Sequence, residues 1–215
     1  ALFNSTMALN NMVFQYFFRD TSKISIAMIG SYAPMVIFMV LIGKLTKKFG
    51  KKSVIVTTML IGAISGIVSL FVPITPDSKG MIIYVVCLMG LNLGNAGFQI
   101  SVWAIVADCI EISYRKTGKS EEGSLYALYS FFRKLAQGIG PSAVILIMSA
   151  LGYDGSLGAD QPFAVAENMK WLVAALYTFS AVVMFVAIAI IYDLNKKKVA
   201  EMTAELEERR AAKAK

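Results

Sequence analysis

Arg133 and Lys134 stand side by side about halfway along an apolar stretch over residues 123–151. Lys134 is roughly eleven residues in, which at about 1.5 Å per residue puts it on the order of 16 Å deep, near the middle of a ~30 Å hydrocarbon core. A cation at that depth is costly against lipid, so it faces the protein interior and marks a substrate or ion path. The polar residues around the pair share a face. Tyr126, Ser130, Lys134, Gln137 and Pro141 follow one another at helical spacing, with Arg133 seven after Tyr126. At about 100° per residue they fall on one stripe about 100° wide. Such a stripe either lines a hydrated cavity or lets one cation pair with an acid and join two helices. No acid lies deep in another apolar segment, so a partner would have to come from a ligand or from sequence outside this chain.

A second stripe lies upstream. Asn92, Asn95, Gln99 and Trp103 recur at spacings of three and four, beside a strip of Gly90, Gly94 and Gly97. Small residues in such a strip let helices approach closely. Amides match hydroxyls and an indole face packs on sugar C–H surfaces, so the stripe suits a polyhydroxylated ligand. For Asn92 and Asn95, hydrogen bonding between helices fits equally well; Gln99 and Trp103 are assigned to the cavity. Asn4, Asn11 and Gln15, with Asn10 adjacent, form a third polar surface open to the same two readings.

The elements that carry these stripes are apolar runs. Of the 215 residues 57% are hydrophobic and only 16% charged, and the mean hydropathy is +0.63; soluble domains carry about 25% charge. Six apolar segments cover residues 1–18, 24–42, 54–72, 81–107, 123–151 and 169–192, most of them long enough to span a bilayer. Pro34 and Pro141 fall within segments, where neighbouring helices can re-satisfy the backbone. Pro73 and Pro76 end the third. The second and third segments, rich in small residues, are expected to be peripheral supports.

Charge sets the orientation. Lys44, Lys47, Lys48, Lys51 and Lys52, then Arg115, Lys116 and Lys119, then seven cations of the tail put fifteen basic residues on one side, against Arg19, Lys23, Lys79 and Lys170 on the other. The basic side, with the C-terminus, is expected to be cytoplasmic. The net charge of +7 is thus a topology signal, and its loop and tail placement excludes nucleic-acid binding. Histidine is absent, and Cys87 and Cys109 stand 22 positions apart on one predicted helix, too far to bridge. No zinc, haem or nucleophile–base set is available, which excludes an enzyme and implies no cofactor. No signal peptide is visible, and the chain opens inside an apolar stretch, as if its first helix were cut.

Residues 43–52, a Gly-Lys-Leu-Thr-Lys-Lys-Phe-Gly-Lys-Lys run, resemble the basic loop between the second and third helices of each half of major facilitator transporters, with Lys47 where an acid is usual. Residues 103–141 are more specific. Ala107-Asp108, Lys116-Thr117-Gly118, Glu122-Gly123 and Arg133-Lys134 resemble the connection between helices ten and eleven of the glycoside–pentoside–hexuronide:cation symporters, the group of melibiose permease and the glucuronide transporters. The resemblance covers the whole chain and places it at helices seven to twelve. It implies that Lys134 is the helix-eleven lysine of sugar and cation coupling and that Tyr129 and Ser130 are sugar-side positions. It also implies that Gln99 stands where melibiose permease carries a helix-ten tryptophan, Trp103 lying four residues later. Sodium or proton coupling would rest mainly on aspartates of an N-terminal half. Arg133 beside Lys134 favours an anionic sugar such as a glucuronide.

The expectation is therefore an all-α membrane protein of six transmembrane helices, the C-terminal half of a major facilitator fold. Residues 1–193 form the bundle and 194–215 a charged cytoplasmic tail. Its function would be sugar:cation symport by alternating access in the inner membrane, with lipid, sugar and an N-terminal six-helix half as partners. Substrate would meet Lys134, Arg133, Ser130, Tyr129, Tyr126, Gln137, Gln99, Trp103 and Asn11. The alternative is a truncated, non-transporting membrane module or self-associating scaffold.

Overall fold

The computed structural model describes residues 6, 9–20, 22–117 and 122–191; Asn4, Lys119 and the 194–215 tail lie outside them. The described chain is all-helical. Helix α1, residues 9–17, ends in a π turn at Val13–Phe17 that the Phe18 N–H closes on the Val13 carbonyl at 3.2 Å. α2, Ile24–Phe49, and α3, Lys51–Phe71, are separated by Gly50 alone. Gly50 takes a φ of +85° while its N–H still bonds the Thr46 carbonyl at 2.9 Å, a conformation that favours a residue without Cβ. Asp77 opens α4, Ser78–Thr117, by accepting the Gly80 N–H at 2.8 Å. At 40 residues α4 is about 60 Å long, twice the bilayer core. α5, Glu122–Ala150, contains Pro141, and α6 is Phe163–Ile191.

Among the described residues four helices are long and apolar enough to cross a membrane: Ile24–Phe49, Lys51–Phe71, Ser78–Gln99 and Phe163–Ile190. α1 is described over too few residues to be counted among them, and the polar residues of α5 leave it outside them despite its 29 residues. The helices run alternately up and down. Lys51, at the α2–α3 link, meets Asp108 near the far end of α4 at 3.0 Å. At the opposite end Tyr16 lies against Tyr153, ring centres 6.2 Å apart, and Lys170 of α6 donates to the Ile74 carbonyl of the α3–α4 link at 3.3 Å.

The structure corrects the reading of the third segment as peripheral. α3 is the central pillar, packed on α4 along one side and on α6 along another, with Ile55, Met59 and Ala63 buried. Its contact with α4 is a glycine seam, where the sequence places Gly90, Gly94 and Gly97. A Cβ on Gly94 would lie 2.9 Å from the Gly62 Cα and 3.1 Å from the Thr58 carbonyl oxygen. The α6 contact is similar: a Cβ on Gly66 would meet the Thr178 hydroxyl at 2.8 Å. α2, by contrast, leaves Ile26, Ile29, Val36 and Val40 on its outer face.

Polar groups close the bundle from inside. The Tyr84 hydroxyl donates to the Asn10 side-chain oxygen at 2.6 Å, and the Asn10 amide donates to the Tyr177 hydroxyl at 2.6 Å, tying α1, α4 and α6 together. All three residues are buried and hydrogen-bonded to one another, as amides and phenols must be when no water can serve them. Asn92 donates to the Ser31 carbonyl at 3.1 Å and ties α4 to α2. α5 stands apart: its buried residues are Val144 and Met148, both beyond Pro141.

Candidate functional site

Because the first two-thirds of α5 does not close on the bundle, a crevice of about 530 Å³ remains between α4 and α5. Asn95, Phe98, Gln99, Val102, Ile105, Val106 and Cys109 line it from α4. Leu125, Leu128, Tyr129, Phe132, Arg133, Ala136 and Gln137 line it from α5, and Met184 from α6. Its walls are mostly apolar, with three amides, one phenol and one guanidinium set among them. That composition orients a ligand through a few polar contacts while excluding water from the rest.

An aromatic cluster bridges the two helices at the crevice. The Trp103 ring stacks on Tyr126 with centres 6.0 Å apart and meets Tyr129 edge-on at 5.6 Å. The Arg133 guanidinium lies 5.9 Å from the centre of the Trp103 ring. A guanidinium over an indole face gains a cation–π attraction and is held in orientation while its N–H groups remain able to donate.

The two adjacent cations part company. Arg133 lines the crevice with Tyr129, Gln137 and Gln99, all four expected from the sequence. Trp103 and Tyr126 belong to the aromatic cluster beside it. Lys134 is exposed and is not among the lining residues; at about 100° per residue it sits roughly 150° round α5 from the middle of the crevice face. Ser130, half-buried, and Asn11, exposed on α1, also lie outside the crevice. Of the two amides left open, Asn95 faces the crevice and Asn92 joins helices.

Lys170 escaped the sequence reading, and Asp108 and Asn10 were read without their partners. Lys170, counted only as a loop charge, is buried with its Nζ 4.5 Å from the Phe17 ring centre, 5.3 Å from that of Trp171 and 3.9 Å from a Glu167 carboxylate oxygen. Its neighbour Trp171 was the one available hint. Asp108 is buried at the end of the glycine seam and paired with Lys51. Asn10, not the adjacent Asn11, is the buried amide of α1.

Known proteins resemble this chain in sequence. The family model described as MFS/sugar transport protein matches residues 1–196. In Escherichia coli K12, a protein provisionally named a sulfoquinovose importer is 25% identical over 98% of this chain and 44% of its own length. One provisionally named a 2,3-dihydroxypropane-1-sulfonate exporter is 26% identical over 97% of this chain and 44% of its own. A glucuronide carrier protein homolog of the same organism is 28% identical over 79% of this chain and 36% of its own length. The chain thus spans less than half the length of these relatives. No solved structure matches it. Apolar spanning helices, an amphipathic crevice between two of the long helices, and a match along nearly the whole sequence lead to one assignment: this chain belongs to the MFS/sugar transport protein family of multi-pass membrane transporters.

Proposed function

We propose that the chain is the C-terminal six-helix half of a sugar:cation symporter that carries an anionic, hydroxylated substrate by alternating access. The observation that carries this reading is Arg133 in the crevice with Asn95, Gln99 and Gln137. A guanidinium supplies paired N–H donors matched to a carboxylate or sulfonate, and amides serve hydroxyls as donor and acceptor. Tyr129 and the Trp103–Tyr126 pair offer faces for ring C–H groups. The names of the relatives point the same way: a sulfonated sugar, a hydroxylated sulfonate and a glucuronide. All are anions on hydroxylated carbon skeletons.

In the intact transporter this bundle rocks against an N-terminal half, with the coupling Na+ or H+ held mainly there. Lys134, Ser130 and Asn11, outside the crevice, face that half, and Lys134 meets an acid or the ligand from that side. The lysine-rich end lies in the cytoplasm and the bundle in the inner membrane.

The test is counterflow in proteoliposomes holding the full-length transporter, with methyl β-glucuronide against the neutral methyl β-glucoside. Arg133→Gln brings the preference for the anion, on the order of 10- to 100-fold for one charge-assisted contact, close to parity. A preference unchanged by the substitution removes Arg133, and this reading of the crevice, from the mechanism.

A further inference from the structure

Pro141 interrupts α5 just past the crevice. Proline has no N–H, so the carbonyl four residues back, that of Gln137, is denied its α-helical donor. Gln137 is itself a crevice residue and is exposed. The backbone beside it is uncovered as well: a Cβ on Gly138 would meet nothing within 4 Å. Gly138 itself, four residues after Lys134, lies on the face of α5 turned away from the crevice. Ser142 turns its hydroxyl back to the Gly138 carbonyl at 3.2 Å, so the acceptor next to Gln137 is served from within the helix. In a membrane helix, a carbonyl freed by proline draws its donor from water, a side chain or a ligand.

Resting on the sugar-transport reading above, we infer that the Gln137 main-chain carbonyl is a fixed acceptor for a substrate hydroxyl, and that Pro141 thereby sets the hydroxyl specificity of the crevice. A carbonyl oxygen only accepts, so it repels the substrate anion and reads a hydroxyl proton. Arg133 sits four residues before Gln137 on the same face, about 6 Å along the helix. With the anion on Arg133, the hydroxyl that meets the carbonyl lies across a pyranose ring from the carboxylate. It is therefore the 2- or 3-hydroxyl of a glucuronide, not the adjacent 4-hydroxyl. Pro141 is a positioning residue here: it acts by withholding a hydrogen bond.

The experiment measures counterflow by the full-length transporter with methyl β-glucuronide and its 2-, 3- and 4-deoxy analogues. In the unsubstituted protein, removing the 2- or the 3-hydroxyl lowers kcat/KM about fivefold, as expected for one neutral hydrogen bond. Pro141→Ala returns an N–H to the Gln137 carbonyl; it lowers kcat/KM for the parent sugar by a similar factor and abolishes that discrimination. Gly138→Val, on the face turned from the crevice and with Pro141 in place, keeps the discrimination. Gln137→Ala keeps the main-chain carbonyl and keeps the discrimination. Discrimination by Pro141→Ala equal to that of the unsubstituted protein overturns the inference, and if the anion preference still depends on Arg133, it falls alone. Failure of the unsubstituted protein to carry the glucuronide at all overturns the sugar reading and this inference together.

Discussion

α3 and α5 are both helices long enough to cross a bilayer, at 21 and 29 residues, and both are interrupted by small residues. α3 is gripped on two sides, because Gly62 and Gly66 let α4 and α6 close to backbone distance. α5 keeps two of its three glycines open: neither Gly123 nor Gly138 has an atom within 4 Å of where a Cβ would stand. Between membrane helices there is little hydrophobic drive, so close packing of small residues does the holding. Where that packing is withheld, a crevice forms and polar groups can work. The same residue type therefore serves cohesion in one helix and access in the other.

The largest effect should come from the seam. Gly94→Val drives a branched side chain into the α3 backbone and is expected to cost about 3 kcal/mol or to leave no folded protein. Gly138→Ala is expected to be neutral or to stabilise by up to about 1 kcal/mol, since alanine is the better helix former and nothing is displaced. Thermal unfolding in detergent reads both, and equal losses would erase the contrast between the helices.

A charge comparison sharpens it at smaller scale. Lys51→Met removes the ion pair of the Asp108 carboxylate, 5% exposed. The loss is set at about 1–2 kcal/mol, below the usual value for a buried pair, because the Lys51 side chain is 41% exposed. Lys134→Met should change unfolding by less than about 0.5 kcal/mol. A large loss there would mean that α5 is fixed by its cation.

The smallest effect is in the loops at the end away from Lys51. Hydrogen bonding from Ser22, and then from Lys23, holds the Asp20 carboxyl down at about 2. A carboxyl lowered on folding stabilises the fold above its unfolded value of about 4, and that contribution fades as pH falls towards 2. Asp20→Asn should therefore flatten a slight decline of Tm between about pH 4 and pH 2, leaving higher pH unchanged. The opposite slope would place Asp20 outside this loop network.

Much of this could be read from residue order. Helices announce themselves by apolar length, and the Gly90, Gly94 and Gly97 strip announces a close neighbour. Arg133, Gln137 and Gln99 were legible because polar residues recur at helical spacing in apolar surroundings, and Tyr129 through the family resemblance. The facing of α5 was not. Arg133 and Lys134 differ by about 100° around a helix, and only the position of α4 decides which turns inward. The centrality of α3 was hidden for a related reason, since small residues look alike in a support and in a keystone. Lys51–Asp108 and Lys170–Ile74 join residues 57 and 96 positions apart, a distance that no local pattern spans.

α4 continues unbroken for 18 residues past Gln99, to Thr117, a run of about 27 Å. A rigid rod of that length is a lever. A tilt of only about 5° pivoting at Gln99 would carry its tip through about 2 Å and move Asp108, with its salt bridge to Lys51, through about 1 Å. Any movement of the rod at the crevice would thereby reach the lysine-rich end without any turn of helix being unwound.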